Sequence, residues 1–391
     1  MQYFWQIPDW EKHDKHLEVL KKAPFFRPFH KLESSPGVQI IRGPRQVGKS
    51  SWLKTTLSEF VKAGIKSHYE TCDLIKDYHD LFELLKSLQN NEAVLLDEIS
   101  FVDDWPRAVK KFIDDGYKGS LILTGSNSTE LKKGYDLMPG RWARGESEHF
   151  LLPMIYSEWC EMRKKAGWAE FDWLTGLTKY FITGGFPAAV IEAGEDCVFP
   201  AQAAKTYKRW LLGDIVKLGK QEKYLQELLE QIAITMCTPV SFQTIASKTE
   251  IMSHHTAQDY LAVLESSFAV RILYAIDPET GHFRYKKNKK LYFSDPLVYW
   301  IAKSWSKSRA VVSEPDFDKV SEMVAHEYLA RTETNFGYLS SDSGEVDFCK
   351  PGEWAIEVKW SDVVRNLSDT YKRTILPKKM VWSKSNFLQN R

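Results

Sequence analysis

The chain has 391 residues, 43% hydrophobic and 27% charged, a globular composition that excludes a disordered protein and, at this length, implies two to four packed units. With 53 Lys and Arg against 52 Asp and Glu, there is no overall field to draw in nucleic acid, and any such contact has to come from local patches. Cys72, Cys160, Cys197, Cys237 and Cys349 form no Cys-x-x-Cys pair, which argues against a disulfide framework or a zinc site and for reduced thiols in a cytoplasmic protein.

No apolar run reaches the length of a membrane span, and charges interrupt the start of the chain where a signal peptide needs an apolar stretch. Phe25 and Phe26 either wall a base pocket or simply pack. Residues 38–41 are a short apolar run that leads into GPRQVGKS and then the helix-like SWLKTTLSEFVKAG. That order of strand, glycine loop and helix predicts a phosphate-binding loop. Gly43 and Gly48 allow the backbone to turn tightly, so that the cradle of Gly43, Pro44, Arg45, Gln46, Val47, Gly48, Lys49, Ser50 and Ser51 can aim N–H groups at phosphate oxygens. Lys49 supplies a point charge to the β and γ phosphates of ATP, and the Ser50 hydroxyl is placed to ligate Mg2+.

A second apolar run, residues 93–96, delivers Asp97 and Glu98 at its carboxyl end, where an open α/β sheet places its ligands. Asp97 is expected to hold the magnesium shell and Glu98 to orient the attacking water. A third run, residues 121–123, ends in TGSNS and brings Thr124, Ser126 and Asn127 to the same edge. In P-loop ATPases with such a glutamate this strand lies between the other two. Ser126 or Asn127 is then the candidate γ-phosphate sensor, a plain polar turn being the alternative.

RGPRQVGKS, LLDEISFVDDW, LTGSNS, PGRWARGE, LLPMIYSEW and YFITGGFP follow one another in an order that resembles the prokaryotic predicted AAA+ superfamily ATPases with a conserved C-terminal domain of unknown function. The resemblance spans nearly the whole chain beyond the first thirty residues. It implies an α/β P-loop NTPase of AAA+ type at 1–155, a helical lid at 156–222, a winged-helix domain at 223–292 and a PD-(D/E)xK restriction-endonuclease-like lobe at 293–391. It also implies that Arg141 is functional, neutralising the γ phosphate in cis or reaching a neighbouring subunit as a finger, with a surface salt bridge as the plainer reading. Gly184, Gly185 and Pro187 are similar to the Gly-x-Pro hinge of signal-transduction ATPases with numerous domains, where the proline packs on the adenine; an ordinary inter-helix loop would carry the same residues.

Helical spacing over 224–236, two short helices broken at 250–252, and the strand-like VRILYAI and KLYF predict a helix-turn-helix with a wing. On DNA, Ser253, His254, His255 and Gln258 would face the groove and Lys286, Lys287, Lys289 and Lys290 the phosphates; otherwise the domain relays the state of the ATPase to a protein partner. Farther on, Glu322 or Glu327 on a helix, Asp347 in GEVDFC, and Glu357 with Lys359 on one strand face make up the nuclease-like set. The acids would hold Mg2+ and the lysine a water, or the lobe is a scaffold.

Overall fold

The structure, a computed structural model, describes residues 10–12, 14, 17–18, 27, 29–125, 128–217, 219–251, 253–305, 312, 316–342, 344–363 and 367–388. Phe25, Phe26, Ser126 and Asn127 lie outside the described residues. The chain divides into two compact units, Met1–Pro153 with Met162–Trp168, and Met154–Glu161 with Ala169–Arg391.

The first unit is built on strands β1 (Gly37–Arg42), β2 (Ser67–Thr71), β3 (Ala93–Asp97), β4 (Ser120–Thr124) and β5 (Glu148–Phe150), all parallel, in the order β2-β3-β4-β1-β5. β3 and β4 are buried along their whole length, as continuous apolar runs are when helices cover a parallel sheet. Between the strands run α1 (Lys49–Lys62), α2 (Tyr78–Ser87) and α3 (Trp105–Asp114), and α4 (Ser128–Asp136) follows β4. In α3, Trp105, Ala108, Val109 and Phe112 recur at helical spacing and all four are buried. They share a core with Val94 and Leu96 of β3, Leu121 and Leu123 of β4, and Leu81 and Leu85 of α2. Each large apolar side chain buried there contributes about 1.5–3 kcal/mol. β4 pairs with β1 on one side and β3 on the other, the central place that likeness to P-loop ATPases implies for it. The phosphate loop, Asp97 and Thr124 therefore follow three adjacent strands at one sheet edge.

The second unit begins with helices α5 (Tyr156–Lys165, whose residues are divided between the units), α6 (Trp173–Thr183), α7 (Pro187–Ala193) and α8 (Ala201–Lys217). Next come α9 (Glu222–Thr235), α10 (Phe242–Ser247) and α11 (His254–Ser266), then an antiparallel hairpin of β6 (Val270–Tyr274) and β7 (Lys289–Phe293) with Leu273 opposite Lys290. α9 buries Leu225, Leu228, Leu229 and Ile232 along one stripe, and Ser241 and Ser253 cap the two short helices after it through the amides of Thr244 and Thr256. The chain continues through α12 (Pro296–Lys303) and α13 (Phe317–Thr332) into a second sheet of β8 (Gly337–Ser341), β9 (Gly344–Lys350), β10 (Trp354–Lys359) and β11 (Lys378–Ser383), the last preceded by α14 (Asp369–Arg373). Its order is β11-β10-β9-β8, parallel only between β10 and β11. No helix among the described residues is long and apolar enough to cross a membrane.

Candidate functional site

Strand β1 hands over to the loop at Gly43, where an added Cβ would stand 1.9 Å from the carbonyl oxygen of Leu151. Only glycine fits that approach. Gly48 takes φ +105 as the residue before α1, a left-handed conformation that glycine adopts without strain. Gln46 adopts φ +60 at the exposed tip, a conformation that curls successive amides toward one concavity. Lys49 is buried, and its Nζ donates to the Gly43 and Pro44 carbonyl oxygens at 2.9 and 2.8 Å. The ammonium is thus already held against the loop it has to serve. Ser50 is half-buried at the first turn of α1. A backbone cradle that a Cβ would fill, a held lysine and an adjacent hydroxyl fit a triphosphate with its magnesium.

At the neighbouring strand end, Asp97 is buried and both its oxygens are engaged. Tyr69 of β2 donates to Oδ2 at 3.0 Å, the Glu98 amide to Oδ1 at 3.1 Å, and the Thr124 hydroxyl also to Oδ1. Burial, and then Asp97 itself, push the Tyr69 hydroxyl far above its ordinary range, so Tyr69 remains a donor. Glu98 is half-buried with φ +56, a left-handed kink that turns its side chain out of the strand alternation. Of the three polar residues expected at this edge, Thr124 is the one seen to join β4 to the acidic pair; Ser126 and Asn127 are outside the described residues. Tyr69 was not expected, because its strand, SHYET, carries no loop or motif. Tyr69→Phe is expected to raise the Mg2+ concentration for half-maximal ATP turnover by about 10- to 150-fold, the worth of one hydrogen bond to a charged group at about 1.5–3 kcal/mol. A titration of activity against Mg2+ checks it; an unshifted curve removes the positioning role.

Arg141 departs from the in-cis expectation. Its guanidinium makes a two-point contact with Asp114 at the end of α3, at 2.8 and 2.9 Å, and a third bond to the Pro139 carbonyl. Its own carbonyl accepts from the Val38 amide, at the beginning of β1. The phosphate loop lies at the other end of that strand, about 16 Å away at the usual rise per residue. That is beyond the reach of the side chain, so contact with the γ phosphate of its own loop is excluded.

Pro187 lies in the second unit as the first residue of α7. The glycines before it meet protein. A Cβ on Gly184 would stand 2.1 Å from Asp295 Oδ1, and one on Gly185 1.9 Å from the Met154 carbonyl oxygen. The buried Asp295 caps α12 by accepting from the Leu297 amide and also accepts from the Gly185 amide, both at 2.8 Å. Burial pushes its carboxyl up to about 7.

In the C-terminal half, Glu322 of α13, Asp347 of β9 and Glu357 and Lys359 of β10 are brought together. Lys359 Nζ lies 2.9 Å from Glu357 Oε2 and 3.9 Å from Asp347 Oδ2. Glu327 does not substitute for Glu322: it binds Arg271 at 3.1 Å and Arg331 at 2.8 Å, and these two outweigh burial to hold it at about 2. Of the lysines expected on DNA phosphates, Lys286 and Lys287 are exposed and Lys289 half-buried. Lys290 requires correction, for it is fully buried among the acids of this cluster. Of the residues expected in a groove, Ser253 is committed to capping α11, His254 is half-buried, and His255 and Gln258 are exposed.

The first unit carries a five-stranded parallel sheet with a phosphate loop at its edge, and an AAA domain model matches residues 35–160. Residues 174–307 match a domain of unknown function (DUF8612). The chain is similar to the uncharacterized protein MJ1544 of Methanocaldococcus jannaschii, 24% identical over 369 residues that cover 86% of this chain and 78% of that protein. It is also similar to an uncharacterized protein of Haemophilus influenzae, 22% identical over 270 residues covering 64% of this chain and 65% of the other. Among solved structures it is similar to the Walker-type ATPase PABY2304 of Pyrococcus abyssi, at 16% identity and a TM-score of 0.48 over 76% of this chain and 96% of that one.

Proposed function

We propose that this chain is an AAA+ ATPase that binds and hydrolyses magnesium ATP, and that its nucleotide state repositions a winged helix and the nuclease-like lobe after it on DNA. The observation that carries the ATPase reading is the shared edge of β1, β4 and β3, where the loop closed by Gly43, the Thr124 hydroxyl and the Asp97–Glu98 pair stand side by side. Magnesium ATP brings the phosphoanhydride bond to be broken. Lys49 would exchange its two carbonyl acceptors for phosphate oxygens, and Ser50 and Asp97 would hold the ion. Glu98, free of the strand by its left-handed turn, would orient the attacking water and take its proton. Ser126 or Asn127 would sense the γ phosphate, and Pro187 would pack on the base. Arg141 would act in trans, after leaving Asp114.

The DNA part is supported by the order of three helices and a hairpin with exposed Lys286 and Lys287 at its turn. A specific observation favours a second reading, a slow ATP switch that recognises a protein. The helix that would enter a groove, HHTAQDYLAVLES, has neither Lys nor Arg, and phosphate contacts dominate affinity for DNA. Steady-state ATP hydrolysis with single-stranded, duplex and branched DNA, at low and moderate salt and with Glu98→Gln as the blank, separates the two. Stimulation that fades with salt is the outcome expected for DNA. Slow turnover indifferent to every nucleic acid, with nucleotide-dependent assembly, selects the protein-directed switch.

A further inference from the structure

A nuclease reading of the second unit needs a divalent cation held by Glu322, Asp347 and Glu357, with Lys359 beside it. Those side chains meet, but the space they face is filled by Lys290. It comes from β7 of the hairpin, outside the sheet that carries Asp347 and Glu357, and it has no solvent exposure. Its Nζ is 3.1 Å from Glu322 Oε1, 3.1 Å from Glu345 Oε1 and 2.9 Å from Asp347 Oδ1. The ammonium donates to Glu322 and Asp347 and pairs with Glu345, so three carboxylates surround it. A cation bridging Glu322 Oε1 and Asp347 Oδ1 would have to sit where Nζ sits.

Further donors reach the same acids. Tyr292, two residues along β7, donates to Glu322 Oε1 at 2.7 Å; the Val358 amide donates to Asp347 Oδ2 at 3.0 Å; Lys359 stands on Glu357. Among the described residues no group of three or more His, Cys, Asp or Glu is arranged to hold a metal ion.

We infer that Lys290 is the resident cation of this cluster, taking the place of a catalytic divalent ion, so that the lobe neither binds the metal nor cleaves phosphodiesters and the β6–β7 hairpin is tied to the β8–β11 sheet. Electrostatics agree with that geometry. Burial alone would push the Lys290 ammonium down, but Asp347, Glu322 and Glu345 outweigh it and hold it well above its ordinary range, so it stays charged. Burial, and then Asp347, push Glu322 and Glu357 up to about 7.

The test is Mn2+ binding to nucleotide-free protein, followed by electron paramagnetic resonance, for wild type, Asp347→Asn and Lys290→Met, with folding checked by circular dichroism. Wild type and Asp347→Asn are expected to give the same isotherm. Lys290→Met keeps the length of the side chain without its charge. It is expected to gain one Mn2+ site, to melt lower than wild type in EDTA and to regain that loss with Mn2+; adding Asp347→Asn abolishes the gain. A wild-type site that disappears in Asp347→Asn overturns the inference, and so does a folded Lys290→Met that binds no more Mn2+ than wild type. Should Lys290→Met not fold, the wild-type and Asp347→Asn isotherms decide alone. None of these readouts depends on ATP turnover, so their outcome is separable from that of the ATPase assignment.

Discussion

Glu98→Gln is expected to bind ATP as wild type does and to lose at least about 100-fold in kcat, the lower end of what a positioned general base contributes. Glutamine matches glutamate in size, and the left-handed turn at this position is set by the backbone between β3 and the following helical turn, so the strand end should keep its shape. What disappears is a carboxylate able to accept a proton from water. Asp97 cannot take over, because one of its oxygens receives the Tyr69 hydroxyl and the other the Thr124 hydroxyl and the Glu98 amide. Equilibrium binding of a fluorescent ATP analogue, measured beside phosphate release, separates binding from turnover. Undiminished phosphate release would place the base elsewhere.

Lys49→Ala has its effect one step earlier. The lost contact is a charge-assisted one to phosphate, so ATP affinity is expected to fall by about 10- to 150-fold, equivalent to about 1.5–3 kcal/mol. The Gly43 and Pro44 carbonyls also lose their donor, which adds disorder to the loop before any nucleotide arrives. Isothermal calorimetry with ATP and magnesium is the direct measurement. The two variants should diverge, one still holding ATP and the other failing to; an affinity for Lys49→Ala equal to wild type would remove the phosphate-loop assignment.

The parts of this fold legible in the sequence are those in which one short segment contains its own cause. β1, β3 and β4 are apolar runs that end in a glycine loop, an acidic pair and a polar turn, and α3 displays its buried stripe at positions 105, 108, 109 and 112. β5 was not legible, because Glu148–Phe150 has no apolar run. It is a strand through its pairing with residues 40–42 of β1, with an ion pair from Arg42 to Glu148. The resemblance implies a functional Arg141, and only the ladder to Val38 shows which end of β1 it accompanies. Lys290 is one letter in KKNKK, where local pattern cannot distinguish a solvated lysine from one drawn inward. The distinction comes from Glu322, Glu345 and Asp347, between 32 and 57 residues farther on. The room that the glycines of GGFP leave is taken by atoms of Asp295 and Met154, neither of which that local pattern announces.

The ring of carboxylates around Lys290 also bears on inheritance. Breaking a buried ion pair from one side costs about 3–5 kcal/mol, whereas exchanging the whole group for well-packed apolar residues can be neutral. Single substitutions at Glu322, Asp347 or Lys290 are therefore each deleterious in a background that retains the others, and the favourable route requires several changes at once. Epistasis of this kind holds the letters at 290, 322 and 347 in place as one set, kept for the stability of the fold.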